Sequence, residues 1–149
     1  MKIEIINNVE DLNRLVPYFN EYKCIVIICK YNGGKSSTIT EIIHKHFGEE
    51  KTYYVTLIDQ SKLNFTPRQS RLEFGKIVRN KIVVFDEISD EKNREVRQYI
   101  RELIKENRVI ILTNPYGSSN DVNKEVNLFK SMEREILPVE TMFIFFKLA

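Results

Sequence analysis

The chain has 149 residues, of which 42% are hydrophobic and 30% are charged, and its formal net charge is +2. This composition excludes a disordered chain and predicts a single globular domain over residues 1–149, while the small net charge excludes an overall basic field that would attract nucleic acid. No apolar run approaches the length of a membrane span, so we expect no membrane partner.

Hydrophobic patterns predict strands and helices in alternation along the chain. They predict a strand at 3–6, a helix at about 8–22 that Pro17 kinks or breaks, a buried strand at 25–29, a helix at 36–47 that ends at Gly48, and a strand at 53–58. A mostly irregular segment at 59–75 follows, then a strand at 81–85, a helix at 91–107, a strand at 109–112, a loop at 116–123, a helix at 124–135 and a strand at 141–148. This alternation predicts an α/β fold, a three-layer sandwich with a mostly parallel sheet and helices on both faces.

The two cysteines and residues 1–6 help to predict the cellular compartment of the protein. Cys24 and Cys29 lie five apart on one predicted strand, so they point to opposite faces and are poorly placed for a disulfide. The two His lie far from both Cys, which argues against a zinc site. Charge interrupts the apolar residues at 1–6, which is not typical of a signal peptide. Free thiols without a targeting signal predict a cytoplasmic protein.

The segment between the first buried strand and its helix has the composition of a phosphate-binding loop. The signature G-x-x-x-x-G-K-[ST] matches at Gly34, Lys35 and Ser36, although its first glycine is replaced by Cys29. Backbone N–H groups of such a loop and of the helix start close around phosphate oxygens. Lys35 would reach the β- and γ-phosphates, and the Ser36 hydroxyl would bind Mg²⁺. The expected phosphate-binding residues are Asn32, Gly33, Gly34, Lys35, Ser36 and Ser37.

Two further strand ends carry polar residues suited to nucleotide chemistry. Asp86 and Glu87 end one apolar strand, where Asp86 would hold Mg²⁺ and Glu87 would deprotonate the attacking water. The alternative is an acidic loop that caps the next helix. Thr113 and Asn114 end another strand, where Asn114 would reach the γ-phosphate or the water if that strand neighbours the first. The alternative there is a turn residue before Pro115.

These three segments together resemble the Walker A, Walker B and sensor 1 motifs of AAA+, STAND-like and related P-loop ATPases. The motifs run from Cys29 to Ser36, from Ile82 to Glu87 and from Ile110 to Asn114, and the similarity extends over roughly residues 8–147. The resemblance implies a P-loop NTPase sheet, binding of ATP and Mg²⁺, and hydrolysis through Glu87. It also implies a homo-oligomer in which Arg134 enters a neighbour's active site.

The small helical lid of AAA+ proteins has no counterpart in the sequence, so we expect a lidless relative. Viral DNA-packaging ATPases of the terminase type and superfamily 3 helicases are of this kind, and a viral or mobile-element origin would fit. Two alternatives stay open. A nucleoside or nucleotide kinase would carry the same phosphate loop, and a nucleotide-binding switch without turnover would be consistent with Cys29.

Two basic clusters are candidates for nucleic-acid contact. A stripe on the predicted helix comprises Arg94, Arg97, Arg101, Lys105 and Arg108. A second cluster, with Phe65 and Phe74 interleaved, comprises Lys62, Arg68, Arg71, Lys76, Arg79 and Lys81. Each would attract a phosphate backbone, and interleaved aromatic rings suit single strands. The alternatives are a solvated helix face and an ordinary connecting segment.

Overall fold

The structure, a computed structural model, describes residues 2–28, 35–56, 71–86, 94–113 and 141–146. Its strands are β1 (Lys2–Ile6), β2 (Cys24–Ile28), β3 (Thr52–Thr56), β4 (Ile82–Asp86), β5 (Arg108–Thr113) and β6 (Thr141–Phe146). Its helices are α1 (Leu12–Leu15), α2 (Lys35–Phe47) and α3 (Arg94–Leu103). Short 3₁₀ helices flank α1 at Val9–Asp11 and Val16–Glu21, and another precedes β3 at Glu49–Lys51.

The strands form one sheet in the order β1-β6-β2-β5-β4-β3, and every pairing within it is parallel. Neighbours in the sheet are therefore mostly distant in the chain, because each parallel pair needs a crossover connection. The predicted α/β fold with a parallel sheet is confirmed. The predicted strand bounds agree with the observed ones to within two residues wherever the structure describes them.

Two hydrophobic clusters cover the two faces of the sheet, which makes the fold a three-layer sandwich. On one face Ile25 and Ile27 of β2 pack with residues of α1 and α2. On the other face Cys24, Val26 and Ile28 pack with residues of α3. All five side chains of β2 are therefore fully buried. Each such isoleucine or valine contributes roughly 1.5–3 kcal/mol through removal from water, so β2 is the centre of the core.

The helix predicted for 8–22 is present as a broken helical segment. Asn8 begins it, since its Oδ1 accepts a hydrogen bond from the Asp11 N–H at 3.3 Å. Pro17 lies in the first turn of the second 3₁₀ helix, where its missing N–H is not needed. Leu12, Leu15 and Phe19 still reach the core. The apolar spacing was therefore predicted correctly, and the hydrogen-bond pattern changes around the proline.

The helix predicted to extend to residue 107 instead ends at Leu103, and this corrects the predicted basic stripe. A turn follows, in which the buried Asn107 donates from Nδ2 to the Leu103 carbonyl at 2.8 Å. Arg108 is the first residue of β5, so it does not share a helical face with Arg101 or Lys105. Lys105 pairs with Glu102 at 3.1 Å, as expected for a solvated face. The residues at 104–107 continue the apolar and polar spacing of a helix, although they form a turn.

Candidate functional site

The strands β2, β5 and β4 end at the same edge of the sheet, which we call the carboxyl edge. Ile28, the last residue of β2, is in register with Thr113, the last residue of β5. Phe85 is in register with Ile111, so Asp86 lies one residue below the level of Thr113. Strands lie about 4.8 Å apart, which puts the ends of β2 and β4 about 10 Å apart with β5 between them.

The chain leaves this edge toward opposite faces. The residues after β2 lead to α2, which packs on the face of Ile25 and Ile27. The residues after β4 lead to α3, which packs on the opposite face with Phe85. A crevice opens at the carboxyl ends of parallel strands where successive connections leave opposite faces, and ligands of open α/β sheets bind there. The carboxyl edge between β2 and β4 is such a switch point.

The start of α2 supplies backbone donors beside this switch point. Lys35 is its first residue, and Ser36 and Ser37 belong to its first turn. The first N–H groups of a helix have no partner within it, and the helix dipole makes this end positive. Ile39 and Ile43 are buried under α2. These contacts fix the position of the helix start relative to the sheet.

Two contacts hold α2 against β3. The Tyr54 hydroxyl donates to the Thr40 carbonyl at 3.3 Å, and the Tyr54 ring stacks on His44 with ring centres 5.0 Å apart. His44 is half-buried. Its ring covers Tyr54, so His44 contributes to the contact between α2 and β3.

The predicted site residues divide into those the structure describes and those it does not. Lys35, Ser36 and Ser37 begin α2, and Asp86 is the last residue of β4. The remaining ones lie outside the described residues, namely Asn32, Gly33, Gly34, Glu87, Asn114 and Arg134. The described backbone therefore brings the start of α2 and the end of β4 to one edge.

In the described part of the second predicted basic cluster, residues 71–81, several residues make contacts within the fold. Arg79 pairs with Glu106 at 3.0 Å. Phe74 packs edge-on against Tyr99 with ring centres 4.8 Å apart, although 41% of Phe74 remains exposed. The Tyr99 hydroxyl donates to the Lys76 carbonyl. Burial raises the pKa of Tyr99, so this residue donates in its neutral form at ordinary pH.

A polar cleft that no local sequence pattern predicted lies at the opposite edge of the sheet, which we call the amino edge. The cleft has a volume of about 260 Å³ and is lined by Asn20, Lys23, Phe47, Lys51, Asn80, Lys81, Ile82, Glu106, Asn107 and Arg108. A signal for it was present, since a basic residue stands at the start of four consecutive strands of the sheet. That signal needs the strand order, which no local pattern supplies.

Two kinds of feature are absent from the residues that the structure describes. No helix among them is both long enough and apolar enough to cross a membrane. Within the same residues, no group of three or more His, Cys, Asp and Glu side chains is arranged to hold a metal ion.

Comparisons with known proteins assign this chain to no family. No protein-family model matches the chain, and no curated protein matches it significantly. Its function is therefore inferred from its own residues.

Proposed function

We propose that this protein is a Mg²⁺-dependent P-loop ATPase that hydrolyses ATP to ADP and phosphate at the carboxyl edge. The observation that carries the proposal is the strand order β2-β5-β4. Three separate polar segments of the sequence follow the ends of three adjacent parallel strands. Because these three strands are neighbours, the residues that follow them can act on one ligand.

The donor set at this edge fits a magnesium nucleotide. Phosphate is stabilised by a lysine ammonium and by the free N–H groups of a helix start, which Lys35 and the first turn of α2 provide. Mg²⁺ is usually held by one or two protein ligands plus the nucleotide phosphates and water. We assign the protein ligands of Mg²⁺ to the Ser36 hydroxyl and the Asp86 carboxylate.

Glu87 is the residue we assign to proton abstraction. It follows Asp86 directly, and an ATPase needs a base that accepts a proton from the attacking water. Asn114 would orient that water or the γ-phosphate from the neighbouring strand, because β5 lies between β2 and β4. Both residues enter the proposal through their positions in the sequence.

We propose that a homo-oligomer couples this hydrolysis to the translocation, packaging or remodelling of nucleic acid. Arg134 is the residue that would complete a neighbour's site. A steep dependence of the specific hydrolysis rate on protein concentration would support that arrangement. A rate per molecule that stays constant over a hundredfold dilution would contradict it.

The test is release of inorganic phosphate from ATP by the purified chain, with and without Mg²⁺. We expect release that requires Mg²⁺ and is lost in Glu87→Gln, which keeps the shape of the side chain and removes the base. Glu95→Gln is the matched control, because Glu95 is an exposed glutamate of α3.

Two outcomes would overturn the proposal. Transfer of the phosphoryl group to a nucleoside, without release to water, would make the protein a kinase. Saturable ATP binding without release or transfer would make it a nucleotide-binding switch. Full hydrolysis by Glu87→Gln would move the base to another residue.

A further inference from the structure

Four adjacent strands of the sheet begin with a positive charge at the amino edge. Lys23, Lys51 and Lys81 immediately precede β2, β3 and β4, and Arg108 is the first residue of β5. In the sheet these strands are consecutive, in the order β2-β5-β4-β3. Because strands are spaced about 4.8 Å apart, the four basic residues form a row about 14 Å long. We call this row the basic row.

The basic row borders the cleft described above, and all four of its residues line it. Arg108 is fixed in place, since Nε donates to the Tyr22 carbonyl at 2.8 Å and Nη2 donates to the Asn20 carbonyl at 2.9 Å. A guanidinium has five N–H donors, so donors remain for a ligand. Lys23 and Lys51 are exposed, and their ammonium groups can reach into the cleft.

The charge of the basic row is not cancelled by the described residues around it. Glu106 is the acidic residue that lines the cleft, and it is already paired with Arg79 at 3.0 Å. Among the residues that the structure describes, no carboxylate lies within 4.0 Å of the ammonium groups of Lys23, Lys51 or Lys81. The Lys81 ammonium instead donates to the Glu50 carbonyl at 3.4 Å. Like charges held in a row favour a polyanion.

The small size of the cleft favours a single strand over a duplex. Its volume of about 260 Å³ is below that of a typical small-molecule pocket. One or two phosphate groups of a flexible strand fit such a space. Aromatic rings are also present, since Phe47 lines the cleft and the Lys81 ammonium lies 5.9 Å from the centre of the Tyr53 ring. Basic grooves with nearby aromatic rings are the usual surface for single strands.

We propose that the basic row binds the phosphodiester backbone of a single-stranded nucleic acid. This surface lies at the opposite edge of the sheet from Lys35 and Asp86, so nucleotide and strand occupy different sites. The further step, that ATP hydrolysis acts on the bound nucleic-acid strand, rests on the proposed function. The binding itself requires no ATP. The basic row takes the place of the predicted helical stripe as the contact surface, because Arg108 belongs to β5 and not to the helix.

The test measures binding of a fluorescent 20-nucleotide DNA strand by anisotropy, without nucleotide, between 50 and 300 mM salt. Lys23→Gln combined with Lys51→Gln removes two charges of the row. Lys2→Gln combined with Lys76→Gln removes two exposed or half-exposed charges that do not line the cleft. Each phosphate contact contributes about 0.7 to the slope of log K against log salt for single strands. The first variant should therefore lose about 1.4 in slope, equivalent to about 25-fold in affinity at 0.1 M salt.

The control variant should bind within about twofold of the wild type, because its two lysines do not line the cleft and so make no phosphate contact there. Equal loss in both variants would overturn the basic row as the site, and loss in the control alone would place the site at Lys2 or Lys76 instead. Duplex DNA of the same sequence that binds as tightly as the single strand would overturn the single-strand assignment. Phosphate release without DNA is measured on the same samples, so failure of binding and failure of the ATPase are seen separately.

Discussion

The two edges of the sheet use polar residues in different ways. At the carboxyl edge, the candidate groups come from segments that are each continuous in sequence, such as Lys35-Ser36 or Asp86-Glu87. At the amino edge, the basic row takes one residue from each of four strands. A continuous segment can be recognised as a motif, whereas a row across strands becomes visible only once the strand order is known.

The two edges also differ in how their polar groups are held. The amino edge is tied together by side chains. Asn107 accepts from the Lys81 N–H at 3.0 Å and donates to the Val78 and Leu103 carbonyls, both at 2.8 Å. At the carboxyl edge the described support is hydrophobic, with Ile28 and Phe85 fully buried. Substitutions at the amino edge should therefore lower the stability of the protein, whereas substitutions of the candidate groups at the carboxyl edge should lower its catalytic rate.

The largest effect is expected at Lys35, the first residue of α2. Lys35→Ala removes the positive charge that would stabilise the transferring phosphoryl group, so kcat for phosphate release should fall about 100- to 1000-fold, as for loss of one transition-state donor. Lys45→Ala, at an exposed lysine of the same helix, is the control and should stay within about twofold of the wild type. Binding of the DNA strand without nucleotide should not change. Retention of more than a tenth of the wild-type rate by Lys35→Ala would contradict the proposed site.

The next effect concerns the stability of the amino edge. Asn107→Ala leaves the buried Leu103 carbonyl and the part-buried Lys81 N–H and Val78 carbonyl without their side-chain partner, so the free energy of unfolding should fall by about 3 kcal/mol. Urea denaturation measures it. Asn13→Ala is the control, because its Nδ2 makes one exposed bond to the Glu10 carbonyl and its loss should cost less than about 0.5 kcal/mol. Phosphate release per folded molecule should be unchanged, and a selective loss of hydrolysis would show that the two edges are coupled.

Much of the fold could be predicted from the sequence because buried parallel strands are nearly continuous apolar runs. β2 and β4 were recognised in this way, and Asn8 and Gly48 marked helix ends through their own chemistry. The end of α3 could not be predicted, because Asn107 stops the helix through bonds to Val78 and Lys81, far away in sequence. The basic row was missed for the same reason. Local patterns carry no information on which strands become neighbours.

A smaller effect at the amino edge separates charge from positioning. Arg108→Lys keeps the positive charge, but a lysine ammonium cannot reproduce the planar set of bonds to Tyr22 and Asn20. We expect the free energy of unfolding to fall by about 1.5 kcal/mol. Affinity for the DNA strand should stay within about threefold, because the charge that faces the phosphate is retained. A loss as large as that of the lysine double variant would mean that the guanidinium geometry, and not charge alone, binds the strand.

The smallest effect tests the support beneath the carboxyl edge. Tyr99 packs edge-on against Phe85, one residue before Asp86, with ring centres 5.7 Å apart, and its hydroxyl donates to the Lys76 carbonyl. Tyr99→Phe keeps the ring and removes that bond, so the free energy of unfolding at pH 7 should fall by about 1 kcal/mol. Tyr18→Phe, at an exposed tyrosine, is the control and should cost less than about 0.5 kcal/mol.

The pH dependence of the same variant has a definite sign. Burial raises the pKa of Tyr99 above its ordinary value near 10, so the folded protein favours the neutral phenol. The resulting stabilisation is complete below the unfolded pKa and is lost as pH rises through the raised folded pKa. Urea denaturation between pH 7 and 11 should therefore show a steeper alkaline loss of stability in the wild type than in Tyr99→Phe. Equal slopes would contradict the effect of burial. A fall in phosphate release per folded molecule would instead mean that the hydroxyl, and not only the ring, positions the end of β4 for catalysis.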